Sequence, residues 1–246
     1  MRTIKILLID DHPLILEGYQ NVLNRLEIAD IKFVIETSDN CDQAWQKIVS
    51  ENYDVVFLDI NFPVAENSRF ISGEDLGAEI KKEFGNTIKL AILTVIEDAL
   101  RVQNILRNVN PDGFLVKGET NSEELITCLK KVITYPPFYG ATISKILQSG
   151  VVNPQVIDEI DRQILHQLSL GTKTKDIPLH VHLSLRAVED RKRRLKEIMY
   201  VKQGGDEALL EKARKSGYIS PRILKAILKK LIQTYLPQNQ SIPLFT

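Results

Sequence analysis

Apolar residues in the first half of the chain alternate between two textures. Short apolar-rich runs at 4–9, 31–36, 55–58, 88–93 and 113–116 are bounded by polar or turn residues, and they have the length of buried strands. Between them run stripes at helical spacing: Leu14, Ile15, Tyr19, Val22, Leu23 and Leu26; Ala44, Trp45, Ile48 and Val49; Leu76, Ile80 and Phe84; Leu100, Ile105 and Leu106; Leu125, Cys128, Leu129, Val132 and Ile133. Pro13 opens the first helix, where a missing N–H costs nothing, and Glu124 stands at capping-box spacing from Asn121 at the start of the last. Five strands alternating with five helices predict an α/β domain over residues 1–135, a five-stranded doubly wound parallel sheet with helices on both faces.

The texture changes after Tyr135. Pro136, Pro137, Gly140, Gly150 and Pro154 punctuate a linker over 136–154, with one short helical turn marked by Ile143, Ile146 and Leu147. From 155 to 219 only helical stripes remain. One helix, opening at Asn153-Pro154, carries Val156, Ile157, Ile160, Ile164, Leu165 and Leu168 and stops at Gly171. A short helix at 175–181 holds Ile177 and Val181, and Ser184 caps a helix at 185–199 with Val188, Leu195 and Ile198 inward. A fourth starts near Ala208 and ends at Gly217. This is a second, smaller all-α domain, and two short helices joined by a tight turn describe a helix-turn-helix. Beyond it, Pro221 opens an apolar-striped helix, and residues 236–246 read as a loose tail.

Charge sharpens the division. Residues 1–135 hold 14 Lys+Arg against 22 Asp+Glu, and residues 136–246 hold 18 against 10, so a formal net charge of zero conceals −8 followed by +8. The acidic and basic halves call for different partners, nucleic acid being the natural one for the second. No apolar run reaches the roughly 20 residues needed to cross a bilayer, and the N-terminus runs into a strand without a signal-peptide pattern. Cys41 and Cys128 are far apart, with no CxxC, so a cytoplasmic protein with two free thiols and no membrane association is expected. His166, His180 and His182 have no cysteine partners at zinc spacing and are expected to be structural or surface residues.

The chemistry sits at the strand ends. Strands close on Asp10-Asp11, Asp59, Thr94 and Lys117, and in a parallel sheet all four ends converge on one edge, where ligands bind. Clustered carboxylates repel one another, a repulsion that a hard cation relieves. Mg²⁺ suits a few oxygen ligands together with phosphate oxygens. A carboxylate attacking phosphorus gives an aspartyl-phosphate, with Lys and Thr available to the phosphoryl oxygens. No GxxxxGK[ST] loop is present, so the phosphoryl donor is another molecule. A metal-dependent phosphatase of small molecules would use the same carboxylates. His12 beside them reads as a polar residue at a strand–helix junction.

Asp10-Asp11, Asp59, Thr94 and Lys117, each at a strand end, resemble the flavodoxin-like receiver domain of two-component response regulators over roughly residues 3–135. The resemblance implies that Asp59 is the phosphoacceptor for a sensor histidine kinase. It also implies that Mg²⁺ is held by Asp11, Asp59 and the Asn61 carbonyl with Asp10 acting mainly through water, that Lys117 contacts the phosphoryl group, and that Thr94 and Phe114 form a switch pair. Three positions depart from the pattern: Gly118 where a proline is common, Val95 where a smaller residue is common, and a longer loop over 64–72.

The second domain resembles the LuxR-type helix-turn-helix of the NarL/FixJ class, through Gly171, Thr174, Asp176-Ile177, Leu183-Ser184, Ala187-Val188, Leu195 and the stretch 213–217. It departs at Pro178, at Glu189 where a lysine is common, and at Asp190. The resemblance implies double-stranded DNA contacts through Lys173, Lys175, Ser184, Arg186, Arg191, Lys192 and Arg194, and binding as a homodimer. It implies a regulator with no enzymatic activity beyond its own phosphorylation and dephosphorylation. A basic domain that binds a protein partner instead of DNA is the rival reading.

Overall fold

The computed structural model describes residues 2–61, 68–96, 98–149 and 157–219. The runs predicted as strands form β1 (Arg2–Ile9), β2 (Ile31–Ser38), β3 (Val55–Leu58), β4 (Lys89–Thr94) and β5 (Gly113–Val116). A sixth strand, β6 (Phe138–Tyr139), lies parallel to β5, so the sheet of the described residues has six strands where five are expected, in the order β2-β1-β3-β4-β5-β6. The Phe138 N–H donates to the Asp112 carbonyl and the Gly140 N–H to the Phe114 carbonyl, both at 2.9 Å. Two residues are too few to leave a periodic signature, which is why this strand reads as linker.

Successive strand residues face opposite sides, and this divides the apolar runs between two cores. α1 (Pro13–Asn24) and α5 (Ser122–Thr134) cover Ile6, Leu8, Phe57, Leu93 and Leu115. On the other face α2 (Cys41–Ser50), α3 (Gly73–Phe84), α4 (Ala99–Val109) and α6 (Ala141–Gln148) cover Leu7, Ile9, Leu58, Ile92 and Phe114. α6 is two turns, not one, and its Ile143 is fully buried in that core, which ties residues 138–148 to the sheet. Asn40, Ser72, Asp98 and Asn121 each accept a hydrogen bond from the backbone N–H three residues on. Each such cap contributes about 1 kcal/mol and sets where its helix begins. Trp45 packs edge-on against Phe70 and Phe84, and both cysteines are buried free thiols.

The helical domain comprises α7 (Glu159–Ser169), α8 (Pro178–Val181), α9 (Leu185–Ile198) and α10 (Asp206–Lys215). They enclose Ile164, Leu165, Ile177, Val188, Leu195 and Leu209. Asp158 and Asp161 form a reciprocal capping box at the start of α7. α8 is shorter than the expected 175–181, because Pro178 starts it and residues 174–177 form a turn. α7 is also shorter than the helix expected from Asn153-Pro154: Asp158, in extended conformation, caps it, and Ile157 lies ahead of it. Residues 153–156, residues 64–67 of the long loop, and the C-terminal helix and tail at 220–246 lie outside the described residues. No described helix is long and apolar enough to cross a membrane.

Candidate functional site

The ends of β1, β3, β4 and β5 carry Asp10, Asp59, Thr94 and Lys117 side by side, because the ladder continues past the strands. Asp10 N–H donates to the Ser38 carbonyl at 3.1 Å, Asp59 N–H to Ile9 at 2.9 Å, and Lys117 N–H to Thr94 at 2.7 Å. All four side chains are buried. The Lys117 ammonium bridges two carboxylates, donating to Asp10 Oδ2 at 2.5 Å and Asp59 Oδ2 at 2.7 Å. The Asn61 N–H donates to Asp59 Oδ1 at 3.0 Å. Burial pushes the Asp59 carboxyl above the usual carboxylate range, despite Lys117 and the Asn61 N–H acting the other way. The Thr94 hydroxyl accepts from the Ile96 N–H at 3.3 Å. Val95 points into solvent, and Phe114 is fully buried in the sheet core.

Ligand atoms of Asp10, Asp11, His12 and Asp59 all lie within 4.8 Å of one another. This oxygen-rich set is compatible with a bound metal ion. His12, exposed at the junction of β1 and α1, reaches the rim of the site. Its N–H donates to Asp10 Oδ1 at 3.0 Å, and its Nδ1 stands 3.1 Å from Asp10 and 2.8 Å from Asp11. Gly73 is a second residue the sequence pattern gives no reason to single out. A Cβ there would lie 2.3 Å from the Asp59 carbonyl oxygen, so only glycine lets the start of α3 close over the end of β3.

The junction between the two domains is a second polar cluster, and sequence reasoning missed it. Glu74 of α3, fully buried, accepts from Arg101 of α4 and from Asn108 Nδ2 at 2.8 Å, and pairs with Arg162 of α7 at 3.0 Å. Arg162 also reaches Asp75 at 2.7 Å. Burial acts to raise the Glu74 carboxyl, but the Arg101 and Arg162 charges outweigh it and hold it below the usual range. Around this core, Asn104 Oδ1 accepts from the Ile157 N–H and Asn104 Nδ2 donates to the Tyr218 hydroxyl, both at 2.9 Å. The Tyr218 ring lies under the Arg101 guanidinium at 4.4 Å. No single residue here has a motif. The only sequence signal is polar residues at helix positions that a lone receiver would leave in water.

In the helical domain, His182 in the left-handed region makes the turn from α8, and the Ser184 hydroxyl caps α9 by accepting from the Ala187 N–H at 3.2 Å. The structure divides the expected DNA-contact residues. Lys173 and Lys175, in the connection between α7 and α8, and Ser184 and Arg186, at the start of α9, are exposed. Arg191, Lys192 and Arg194 are engaged inside the domain. Arg191 donates to Asp158 and Asp161 at 2.8 Å, Lys192 to Thr174 at 2.6 Å and Asp206 at 2.7 Å, and Arg194 to Asp161. His166 is partly buried, and burial holds its imidazole below the usual range.

The described chain is thus a parallel α/β domain with an acid-lined carboxyl edge, followed by a small helix-turn-helix domain. The family model for the response regulator receiver domain matches residues 6–130, and the chain belongs to that family. Oxygen regulatory protein NreC of Staphylococcus epidermidis is 26% identical over 201 residues, covering 76% of this chain and 87% of NreC. NreC of Staphylococcus carnosus is 24% identical over 210 residues, covering 80% and 92%. Among solved structures, RcsB from Salmonella enterica serovar Typhimurium, bound to promoter rprA with the phosphomimetic BeF3⁻, matches with a TM-score of 0.62 at 17% identity, over 85% of this chain and 98% of that one. An RcsB–DNA complex matches with a TM-score of 0.53 at 18% identity, over 87% and 99%. The architecture is that of a NarL/FixJ-type response regulator.

Proposed function

We propose that this protein is a phosphorylation-controlled transcription regulator: Asp59 accepts a phosphoryl group from a sensor histidine kinase, and its state governs how the α8–α9 unit engages double-stranded DNA as a homodimer. The observation that carries the reading is the buried Asp59 carboxylate facing Lys117 and Thr94 at one sheet edge. The likeness to NreC and to DNA-bound RcsB supports it.

An Asp59 oxygen attacks phosphorus, forming a P–O bond as the donor's P–N bond breaks and the electron pair leaves with the imidazole nitrogen. Lys117, already hydrogen-bonded to Asp59, is within reach to neutralise the incoming phosphoryl oxygens. Asp10, Asp11 and Asp59, with the Asn61 carbonyl, would hold a Mg²⁺ ion, whose charge offsets the carboxylate repulsion and that of the phosphoryl group. For Thr94 to turn toward a phosphoryl oxygen, its hydroxyl must leave the Ile96 N–H. Ile96 lies against Gly217 of the helical domain, since a Cβ on Gly217 would fall 2.9 Å from Ile96 Cδ1. The acceptor site is therefore two contacts away from the DNA-binding half, and Phe114, beside β6 in the sheet and in one core with Ile143 of α6, is the aromatic partner of the switch. We expect no reaction beyond the protein's own phosphorylation and dephosphorylation, and a cytoplasmic location.

The test is duplex-DNA retention by the full-length protein with and without beryllofluoride and Mg²⁺, in the wild type and in Asp59→Asn. The expected result is a change in affinity with the mimic in the wild type that Asp59→Asn abolishes. An identical response of both proteins overturns the reading.

A further inference from the structure

α9 presents an outward face whose charge is the wrong sign for simple attraction to DNA. With Val188, Leu195 and Ile198 buried and Arg191, Lys192 and Arg194 held by Asp158, Asp161, Thr174 and Asp206, the charged residues left exposed are Arg186, Glu189, Asp190, Arg193 and Glu197. They recur at intervals that keep them on one side of the helix. Two cations stand there against three carboxylates. Lys173 and Lys175, in the connection ahead of α8, and Arg186, in the first turn of α9, are exposed cations free to meet phosphates.

A carboxylate only accepts hydrogen bonds. In the major groove the donors on base edges are cytosine N4 and adenine N6, and adenine sets its N7 acceptor beside that donor. Asp190 is already occupied by Arg193 at 2.7 Å, whereas the exposed Glu189 side chain forms no hydrogen bond or ion pair among the described residues. Arg193 is itself mostly exposed, 71% of its side chain accessible, with Asp190 fixing one edge of the guanidinium and leaving the other outward. Accepting the transcription-regulator reading above, we infer that α9 reads C·G pairs: Glu189 accepts from cytosine N4, and Arg193, steadied by Asp190, donates to guanine O6 and N7. Arg191, Lys192 and Arg194 hold the helix in place and do not read bases.

The experiment is selection from a random-sequence duplex pool by the full-length protein with beryllofluoride and Mg²⁺. It compares wild type, Glu189→Gln and Arg193→Ala, each followed by a salt titration on its own selected site. Both substitutions are at exposed positions and leave the buried face of α9 intact. The wild type is expected to select a fixed C·G position that Glu189→Gln converts to A·T, with a preference switched by about tenfold or more. Arg193→Ala is expected to flatten a guanine position. The salt slope of Glu189→Gln stays that of the wild type, since Glu189 meets no phosphate. If Glu189→Gln selects the wild-type motif unchanged, or the wild type binds in a salt-dependent manner with no base preference, the inference is overturned while the DNA-binding reading stands. If the wild type retains no duplex at low salt in either state, both fall together.

Discussion

Two buried polar clusters in this protein use the same groups to opposite ends. At the sheet edge, Asp10, Asp11 and Asp59 face one buried ammonium, Lys117, so negative charge is in excess, and burial, which the single ammonium does not outweigh, holds the Asp59 carboxyl above its usual range. At the domain junction, Glu74 and Asp75 face two guanidinium groups, Arg101 and Arg162, and Glu74 sits below its usual range. Both clusters are desolvated, so burial alone does not separate them. The balance of charge does. A cluster left short of positive charge is stabilised by a cation that completes it, whereas a balanced one holds two domains together and penalises the loss of any member.

The sharpest test of that contrast is Asp59→Asn. Phosphoryl uptake from a small-molecule donor, followed on a phosphate-affinity gel, should be lost by at least about a hundredfold, because the amide has no nucleophilic oxygen at neutral pH. In chelator the same variant should melt at or above the wild-type temperature, since one of three crowded, desolvated carboxylates has gone. The sign follows from the raised carboxyl: its contribution is greatest below the unfolded value and is lost as pH rises through the folded one.

Glu74→Ala should act in the opposite direction. It leaves Arg101 and Arg162 buried without their shared partner, and should cost about 3–5 kcal/mol in urea unfolding. Replacing all three by apolar residues of similar volume should recover most of that. Because Glu74 is held below 4.5, its stabilisation is complete above that value and drains away as pH falls through the lower folded one. Acid titration of the wild type should therefore separate the domains before the receiver melts, and Glu74→Gln should remove that early transition. A wild-type titration with one transition at every pH would break the contrast.

Smaller effects sharpen it. Mg²⁺ at about a hundred times its dissociation constant should stabilise the wild type by about 2.7 kcal/mol, and Glu74→Gln by the same amount, if the two clusters are independent. Asp11→Asn should lose most of this gain. Gly217→Ala should cost about 1–2 kcal/mol, because the residue sits at φ +73° and its new methyl would meet Ile96. Arg193→Ala, on the open face of α9, should change stability by no more than about 0.5 kcal/mol.

The meeting of Asp10, Asp59 and Lys117 at one sheet edge was legible because these residues occupy fixed places relative to a strong local signal. An apolar run ending in Asp59 marks a buried strand, and a parallel sheet brings every such end to one edge. The helix-turn-helix was legible through Gly171, Ser184 and the stripe of Val188, Leu195 and Ile198 for the same reason. β6 was not, since two residues carry no period, nor was the attachment of α6 to the receiver core. The resemblance of the second domain implies DNA contacts for Arg191, Lys192 and Arg194, and the acids that engage them in the structure stand 33, 14 and 33 residues away in the chain.

By itself the sequence determined the α/β alternation, the residues at each strand end, the start of most helices and the division into an acidic and a basic half. These follow from backbone periodicity, capping and strand polarity, all of which act within a few residues. Only the tertiary structure decided that Glu74 is a buried counter-ion and not a solvated first-turn acid. The same holds for the need for glycine at position 73, beside the Asp59 carbonyl, and for which charges of α9 face outward. Each depends on what a side chain meets across a gap between elements, and there desolvation and distance set whether a charge holds, repels or waits for a partner.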